Sequence, residues 1–231
     1  MKTLFAIILL AAAGCFSALA ETFTLNVGEF TRLKVVDGIN VDYHQCQSDS
    51  AGLVIFECND KALASTIGMA KNKDQLTLSY TTVNERPTGL PTVRVYSSFL
   101  TSVENSGDSL VRVMRVSSCP EFKVKQIGNG RIVVRDIKAT KVSAALATGN
   151  GTVVLYGTCN EAALNMTGTG VIQADALKAN TVSIRTFGTG QIGCNPSAEL
   201  KIRGLGSTSV YYKGAPEIRN QAVGVKLEHI D

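Results

Sequence analysis

The chain lacks several residues and motifs on which common functions depend. Tryptophan is absent, aromatic residues make up 6% of the sequence, and only two histidines occur, His44 and His229. Neither Cys-x-x-Cys nor Gly-x-Ser-x-Gly is present, so the usual zinc, haem and serine-hydrolase signatures are missing and no cofactor is expected. The 23 basic and 19 acidic residues include no Lys/Arg run, so no nucleic-acid partner is expected either.

The first 20 residues have the pattern of a secretory signal peptide. Lys2 precedes an apolar run over residues 4–13, and Ala18-Leu19-Ala20 is a small-x-small cleavage site, which predicts an exported chain that begins at Glu21. An alternative site, Ala13-Gly14-Cys15, resembles the end of a bacterial lipoprotein box and would make Cys15 a lipid anchor. No later segment reaches 18 apolar residues, so no transmembrane helix is expected.

A glycine-centred turn recurs through the second half of the chain. The first glycines of successive turns are 21, 21, 19, 20 and 18 residues apart, and short runs of alternating apolar residues lie between them. A period near 20 predicts an all-β, parallel β-helix-like solenoid with ~20-residue coils, whose glycines recur at one corner where φ is positive. The turns are Gly107-Asp108-Ser109, Gly128-Asn129-Gly130, Gly149-Asn150-Gly151, Gly168-Thr169-Gly170, Gly188-Thr189-Gly190 and Gly206-Ser207-Thr208.

The first part of the chain is less regular than the repeats. We interpret residues 21–231 as one domain, in which residues 21–100 form an irregular N-terminal β cap and residues 101–231 form the regular repeats. Roughly ten coils stacked ~4.8 Å apart would make a rod ~50 Å long. Residues 216–231 are the candidate C-terminal cap, with a final strand over residues 223–227.

Five cysteines remain after cleavage at Ala20. Cys119, Cys159 and Cys194 are expected to lie about two coils, or ~10 Å, from one another, which exceeds the ~7 Å between Cα atoms that a disulfide allows. We therefore expect these three to be buried thiols. Cys46 and Cys58 are the one plausible local pair, and the overall pairing stays open.

Three sequence patterns resemble nucleotide-binding, calcium-binding or catalytic motifs, and we interpret each of them as part of the solenoid framework. Residues 188–193 match the Gly-x-Gly-x-x-Gly dinucleotide fingerprint, but the residues that follow predict a strand where that motif needs a helix. Calcium-binding β-roll repeats need an aspartate where Ile172 and Ile192 stand. Glu161, Glu199 and Glu217 fall 11 or 12 residues after their turns and could form a ladder of acids, which we interpret as charge on a solvent edge.

The order of these motifs resembles a known family. The opening pattern and the later Gly-x-Gly turns are similar to the Bacteroidetes "putative auto-transporter adhesin, head GIN domain" family, and Gly38-Ile39-Asn40 is the tripeptide of its name. The resemblance implies a right-handed β-helix-like solenoid and surface adhesion, with no catalytic residues to carry over. It is carried by Phe30, Leu33, Val35, Asp37-Gly38-Ile39-Asn40-Val41, Tyr43, Gln45 and the closing Val210-Tyr211-Tyr212-Lys213-Gly214-x-Pro216. Asp49-Ser50-Ala51 and Asp108-Ser109-Leu110 resemble O-glycosylation acceptors of Bacteroidetes, with Ser50 and Ser109 as the candidate sites.

We therefore expect a non-catalytic, exported cell-envelope protein, an adhesin or ligand-binding solenoid. It would reside at the cell surface, on the outer membrane or in the periplasm, or be secreted, and its partner would be a glycan or protein ligand. A periplasmic structural scaffold is the first alternative. A carbohydrate-active enzyme, a polysaccharide lyase or glycosidase, is the second, because a β-helix can present converging carboxylates.

Overall fold

The computed structural model describes residues 20–81 and 88–231, so the signal peptide and Cys15 lie outside the described residues. Strands occupy most of these ranges, and an α-helix, α1, spans Lys61–Ser65. No helix among the described residues has the length and apolar character needed to cross a membrane. The strands are β1 Glu21–Asn26, β2 Arg32–Val36, β3 Val41–Gln45, β4 Leu53–Cys58, β5 Ile67–Asn72, β6 Gln75–Tyr80, β7 Val93–Ser97, β8 Ser102–Ser106, β9 Leu110–Val113, β10 Val116–Gln126, β11 Arg131–Leu146, β12 Asn150–Tyr212, β13 Glu217–Val223 and β14 Lys226–His229.

The alternating sequence pattern places apolar side chains inside the solenoid. In β11, Val142, Ala144 and Leu146 are almost fully buried, while the residues between them face outward. Side chains on a strand point alternately to its two faces, so the period of two in the sequence becomes one buried row and one solvent-facing row. The long strand β12 passes around several corners without interruption and therefore includes more than one coil.

Successive coils stack in parallel and in register. Val124 of β10 pairs with Ala144 of β11, and Ala144 pairs with Leu164 of β12, at steps of 20 residues. The predicted all-β solenoid and its ~20-residue coils are confirmed. Each inward side chain therefore packs on its counterpart in the next coil, about 4.8 Å away.

The N-terminal part joins the repeats through long-range pairs. Strand β2 pairs in parallel with β8, with Arg32 opposite Ser102, and β3 pairs with β9, with Val41 opposite Val111. The strand order of the sheet ends in the antiparallel pair β1–β4 on one side and in the antiparallel pair β5–β6 on the other, as expected of an irregular cap. The solenoid has about six turns, so the expectation of ten coils is wrong. The reason is that residues 21–100 are used in hairpins and returning strands rather than in 20-residue coils.

Glycine is needed at the turns for two reasons, positive φ and close approach between coils. From Gly128 onward the first glycine of each turn has positive φ, for example 86° at Gly149 and 150° at Gly188, a region that disfavours side chains. Gly190 does not have positive φ, yet a Cβ there would overlap the carbonyl oxygen of Gly170 in the preceding coil. Gly190 is therefore required by close approach between coils, whereas Gly170, the second glycine of the preceding turn, has both a positive φ of 136° and a close approach to the Gly151 carbonyl oxygen. The expectation that positive φ explains both glycines is wrong at Gly190.

The C-terminal residues add a coil instead of a separate cap. Strand β13 pairs in parallel with residues 199–205 of β12, and β14 pairs with residues 209–212. The strand expected over residues 223–227 is interrupted by Gly224, whose φ of 77° turns the chain between β13 and β14. Positive φ at a corner glycine ends one strand and starts the next, as at the earlier turns.

All five cysteines of the described residues are free thiols, which corrects the suggested Cys46–Cys58 pair. Cys58 ends β4 opposite Glu21, and its thiol donates to the carbonyl oxygen of Asp60 at 3.2 Å. Cys119 and Cys159 both pair with Ala139, one on each side, so they lie two coils apart as expected. Burial raises the pKa of the Cys194 thiol to about 12 and that of Cys159 to about 11, so both are protonated at neutral pH.

Candidate ligand-binding surface

Five outward side chains form a line across neighbouring strands of one sheet face. Buried residues immediately precede them, so each must point to the opposite, solvent side. His44 of β3 pairs with Tyr96 of β7, and the Met114 amide donates to the carbonyl oxygen of Tyr43 at 3.1 Å. Val113 pairs with Val134 and Val134 with Leu155, which extends the line through the residues that follow them. We call this line the outer strip: Tyr96, His44, Met114, Arg135 and Tyr156.

The outer strip combines aromatic, thioether and cationic groups. The His44 and Tyr96 rings stack with centroids 5.3 Å apart and an interplanar angle of 20°. The Arg135 guanidinium lies 5.4 Å from the centroid of the Tyr156 ring, a cation–π contact. Met114 and Tyr156 are 43% and 38% exposed. Two contacts thus hold four of the five side chains in pairs, and Met114 and Tyr156 present apolar surface to solvent.

A charged cleft of about 370 Å³ borders the outer strip. Its walls include Asp42, Arg94 and Arg112, which lie two residues before strip members, together with Glu57 and Thr92. Arg112 donates from Nε and Nη2 to the two carboxylate oxygens of Asp42, each at 2.6 Å, and Arg94 donates to Glu57 at 2.6 Å. The pairing with Asp42 raises the pKa of Arg112. Both carboxylates of the cleft therefore face an arginine.

Two of the three acids suspected of catalysis, Glu199 and Glu217, are held in ion pairs. Glu199 pairs with Glu217 across adjacent coils, and Lys201 and Arg219 lie 2.7 and 3.2 Å from Glu199. The hydrogen bond from Lys201 lowers the pKa of Glu199, whereas a general acid needs a raised one. Glu161 stands opposite Lys141. These contacts support the interpretation of charge on a solvent edge.

The tripeptide Gly38-Ile39-Asn40 joins the cap to the first coil. Ile39 is fully buried, and the Asn40 side-chain oxygen accepts from the Leu110 amide at 2.9 Å. The Asn40 carbonyl oxygen accepts from the Val93 amide, also at 2.9 Å. The positive φ of this bend, 68°, belongs to Asp37. The tripeptide thus has structural contacts and does not contribute to the outer strip.

The two glycosylation candidates lie in different surroundings. Ser109 is 4% exposed, and its hydroxyl donates to the Asn105 side-chain oxygen at 3.1 Å. A sugar on that oxygen would have to enter the core, so the expectation for Ser109 is wrong for the folded protein. Ser50 is half-buried and ends a short 3-10 turn, Ser48–Ser50, so it stays a prediction.

Nucleotide and metal chemistry have no supporting geometry in the part of the chain that the structure describes. Residues 188–193 lie within β12, and the strand continues past Cys194 without a helix N-terminus for a pyrophosphate. Within residues 20–81 and 88–231 no three His, Cys, Asp or Glu side chains lie close enough together to hold a metal ion.

Sequence reasoning missed the outer strip, although part of it was visible. Met114, Arg135 and Tyr156 are separated by two steps of 21 residues, which is the coil period, so alignment of the coils would have placed them in one row. His44 and Tyr96 gave no such signal. They enter the row through β3 and β7, whose order in the sheet differs from their order in the chain.

The comparisons identify a family and, separately, a fold. The model of the "putative auto-transporter adhesin, head GIN domain" family matches residues 29–216. A "putative adhesin" from Bacteroides fragilis superposes with a TM-score of 0.80 at 24% identity, covering 93% of this chain and 98% of its own. A "putative lipid binding protein" from Parabacteroides distasonis superposes with a TM-score of 0.71 at 18% identity, covering 92% and 97%. No curated protein matches the chain.

Proposed function

The chain belongs to the "putative auto-transporter adhesin, head GIN domain" family, and we propose that it is an exported, non-catalytic cell-envelope protein that binds a glycan or protein ligand. The observation that carries this proposal is the outer strip. It exposes Met114 and Tyr156 on a sheet face where the neighbouring charges of Asp42, Arg94 and Arg112 are already paired. Tyrosine, methionine and arginine are enriched at protein interfaces, so this composition supports a contact surface.

The geometry of the strip suits an extended ligand. Strands lie ~4.8 Å apart, so five positions span roughly 20 Å. The solenoid scaffold holds them without a loop that must become ordered on binding, which reduces the entropic cost of association. A linear glycan or an extended peptide could contact several strip residues at once, each contact being weak by itself.

We place the binding domain in residues 21–231, after a signal peptide at residues 1–20. Cleavage at Ala20 would release a soluble mature chain, and processing at Cys15 would give a lipid-anchored one. Either form would present the outer strip outside the cytoplasm, at the cell surface or in the periplasm. Ser50 is the remaining candidate for a glycan attached to the protein itself.

The proposal is tested with purified protein on immobilised bacterial and host polysaccharides and surface proteins. The variant Met114→Ser/Arg135→Ser/Tyr156→Ser removes the exposed part of the outer strip, and Phe187→Ser/Leu205→Ser/Val223→Ser removes a similar apolar area elsewhere as a matched control. We expect the wild type and the control to bind the same surface, and the strip variant to bind at least ~10-fold more weakly, as for loss of a hot spot. Equal binding by all three proteins would contradict the role of the strip.

An assay for sugar release from the same polysaccharides distinguishes a binding protein from an enzyme. We expect no release of sugars by the wild-type protein, since Glu199 and Glu217, two of the acids that could serve as general acid or base, are ion-paired. Release of sugars that is abolished by Glu199→Gln would establish the carbohydrate-active enzyme instead. Absence of binding to every surface would favour the periplasmic scaffold.

A further inference from the structure

A second exposed apolar surface lies on the last coils, away from the outer strip. Phe187, Leu205 and Val223 are 58%, 61% and 66% exposed. Each immediately precedes a corner glycine, and Leu205 pairs with Val223 across adjacent strands. A Cβ at Gly206 would overlap the carbonyl oxygen of Gly188, which places Phe187 in the coil next to Leu205. We call this ladder, about 10 Å long at ~4.8 Å per strand, the apolar row.

Exposed arginines accompany the apolar row. Arg185 and Arg203 lie two residues before Phe187 and Leu205, so they point to the same outer face. Arg203 donates to the side-chain oxygen of Gln221 at 3.0 Å, and Arg185 has no ion pair with the described residues. The outer face of these coils thus joins apolar tips to uncompensated positive charge.

The acids of the same strands do not neutralise these arginines. Residues 181–187, 199–205 and 217–223 contain two acids, Glu199 and Glu217. Glu199 lies 2.7 Å from Lys201, and Arg219 lies 3.2 Å from Glu199 and 3.0 Å from Glu217. A second copy of this face would offer Arg185 and Arg203 no free carboxylate, so self-association does not satisfy their charge.

We infer that this face docks on a membrane surface that carries anionic headgroups. Phe187, Leu205 and Val223 would enter the boundary between headgroups and acyl chains, while Arg185 and Arg203 donate to lipid phosphates. Apolar tips beside cationic side chains are the combination that peripheral membrane contacts use. A rigid solenoid held in this way at its last coils would present the outer strip, on its earlier coils, away from the point of attachment.

The test is co-sedimentation of the purified protein with vesicles of phosphatidylcholine alone or mixed with phosphatidylglycerol. We expect binding to the mixed vesicles that is at least ~10-fold stronger than to phosphatidylcholine and that weakens as salt is raised. Phe187→Ser/Leu205→Ser/Val223→Ser should lose this binding, and Met114→Ser/Arg135→Ser/Tyr156→Ser should keep it. Arg185→Gln/Arg203→Gln, which alters exposed side chains alone, should lose the preference for anionic vesicles without a change in melting temperature.

Several results would overturn the inference. The first is that the wild type fails to bind mixed vesicles, and the second is that the apolar-row variant still binds them. The third is that the wild type forms a dimer and binds no vesicles, while the apolar-row variant is a monomer. The vesicles contain no glycan or protein ligand, so loss of ligand binding by the strip variant and loss of membrane binding by the apolar-row variant are separate outcomes. One proposal can therefore fail without the other.

Discussion

Residues 21–100 and residues 101–231 build the same kind of sheet from different interactions. The cap is held by large aromatic side chains, with Phe23 stacked on Phe56 at 5.1 Å and Phe30 edge-on to Tyr43 at 6.5 Å. In the repeats, none of the buried residues after Phe122 is aromatic, and glycine corners let adjacent coils approach closely. A coil in the repeats packs on similar neighbours, whereas the cap must fill a unique space at the end of the solenoid.

The connectivity differs as well. A coil in the repeats pairs with residues about 20 positions away, but β2 and β3 of the cap pair with residues 70 positions away. Contacts between distant residues carry a larger loop-closure cost and form more slowly. The contrast predicts that the cap depends on a few irreplaceable residues and that the repeats depend on their regular spacing.

Phe30→Ala should cause the largest loss of stability. The ring is fully buried against Tyr43, so its removal leaves a cavity and should lower the free energy of unfolding by about 4 kcal/mol. Leu164→Ala in the repeats is the matched variant, and its cost should be about 3 kcal/mol because adjacent coils can close around it. Urea unfolding measures both, and a cost for Phe30→Ala below that of Leu164→Ala would contradict the contrast.

Gly190→Ala should come next, at about 2 to 3 kcal/mol, because its Cβ would overlap the Gly170 carbonyl and press against Met166. Gly89→Ala is the matched variant that measures the cost of backbone strain without a steric overlap. Gly89 has a φ of 75° but no atom within 4 Å of an added Cβ, so it should cost only about 1 kcal/mol. Thermal and urea unfolding of the pair test the spacing of the coils, and equal costs would show that close approach is not the reason for the glycine.

The buried thiol of Cys194 should make the repeats sensitive to alkali. Its folded pKa of about 12 lies above the ordinary value of 9.0, so the unfolded chain releases this proton first and stability falls as pH rises from 9 to 12. At pH 11 the loss should be about 3 kcal/mol, nearly two pKa units of differential ionisation at about 1.4 kcal/mol each. The free energy of unfolding of Cys194→Ala should therefore depend less on pH between 9 and 12 than that of the wild type. Below pH 8 the difference in the free energy of unfolding between the two proteins should stay constant. An unchanged slope would contradict the burial of the thiol.

The smallest effect concerns the surface ion pairs. Arg112→Gln removes the two hydrogen bonds to Asp42, which is only 18% exposed, and should cost about 1 kcal/mol at low salt and less at high salt. Lys123→Gln, which removes a single contact at 3.1 Å to Glu121, should cost close to nothing. Urea unfolding at two salt concentrations measures the difference, and equal costs would remove this distinction between an ion pair that joins the cap to the repeats and one within the repeats.

The regular part of this fold was predictable because each coil repeats a local pattern. Gly149 and Gly188 mark corners, and the alternation around Ala144 assigns the inner face without knowledge of other coils. The cap was not predictable in detail, since nothing local indicates that Arg32 pairs with Ser102. For the same reason only part of the outer strip was predictable. Met114, Arg135 and Tyr156 follow the coil period, but His44 and Tyr96 reach the strip through long-range pairing.

Protease treatment of intact source cells tests the central claim most directly, with a periplasmic protein followed as a control. If the chain is a surface-exposed binding protein, the protease should cleave it while the periplasmic control stays intact, and rupture of the outer membrane should be needed only for the control. If the chain is protected until the outer membrane is broken, binding at the cell surface is contradicted and the periplasmic scaffold is the correct account.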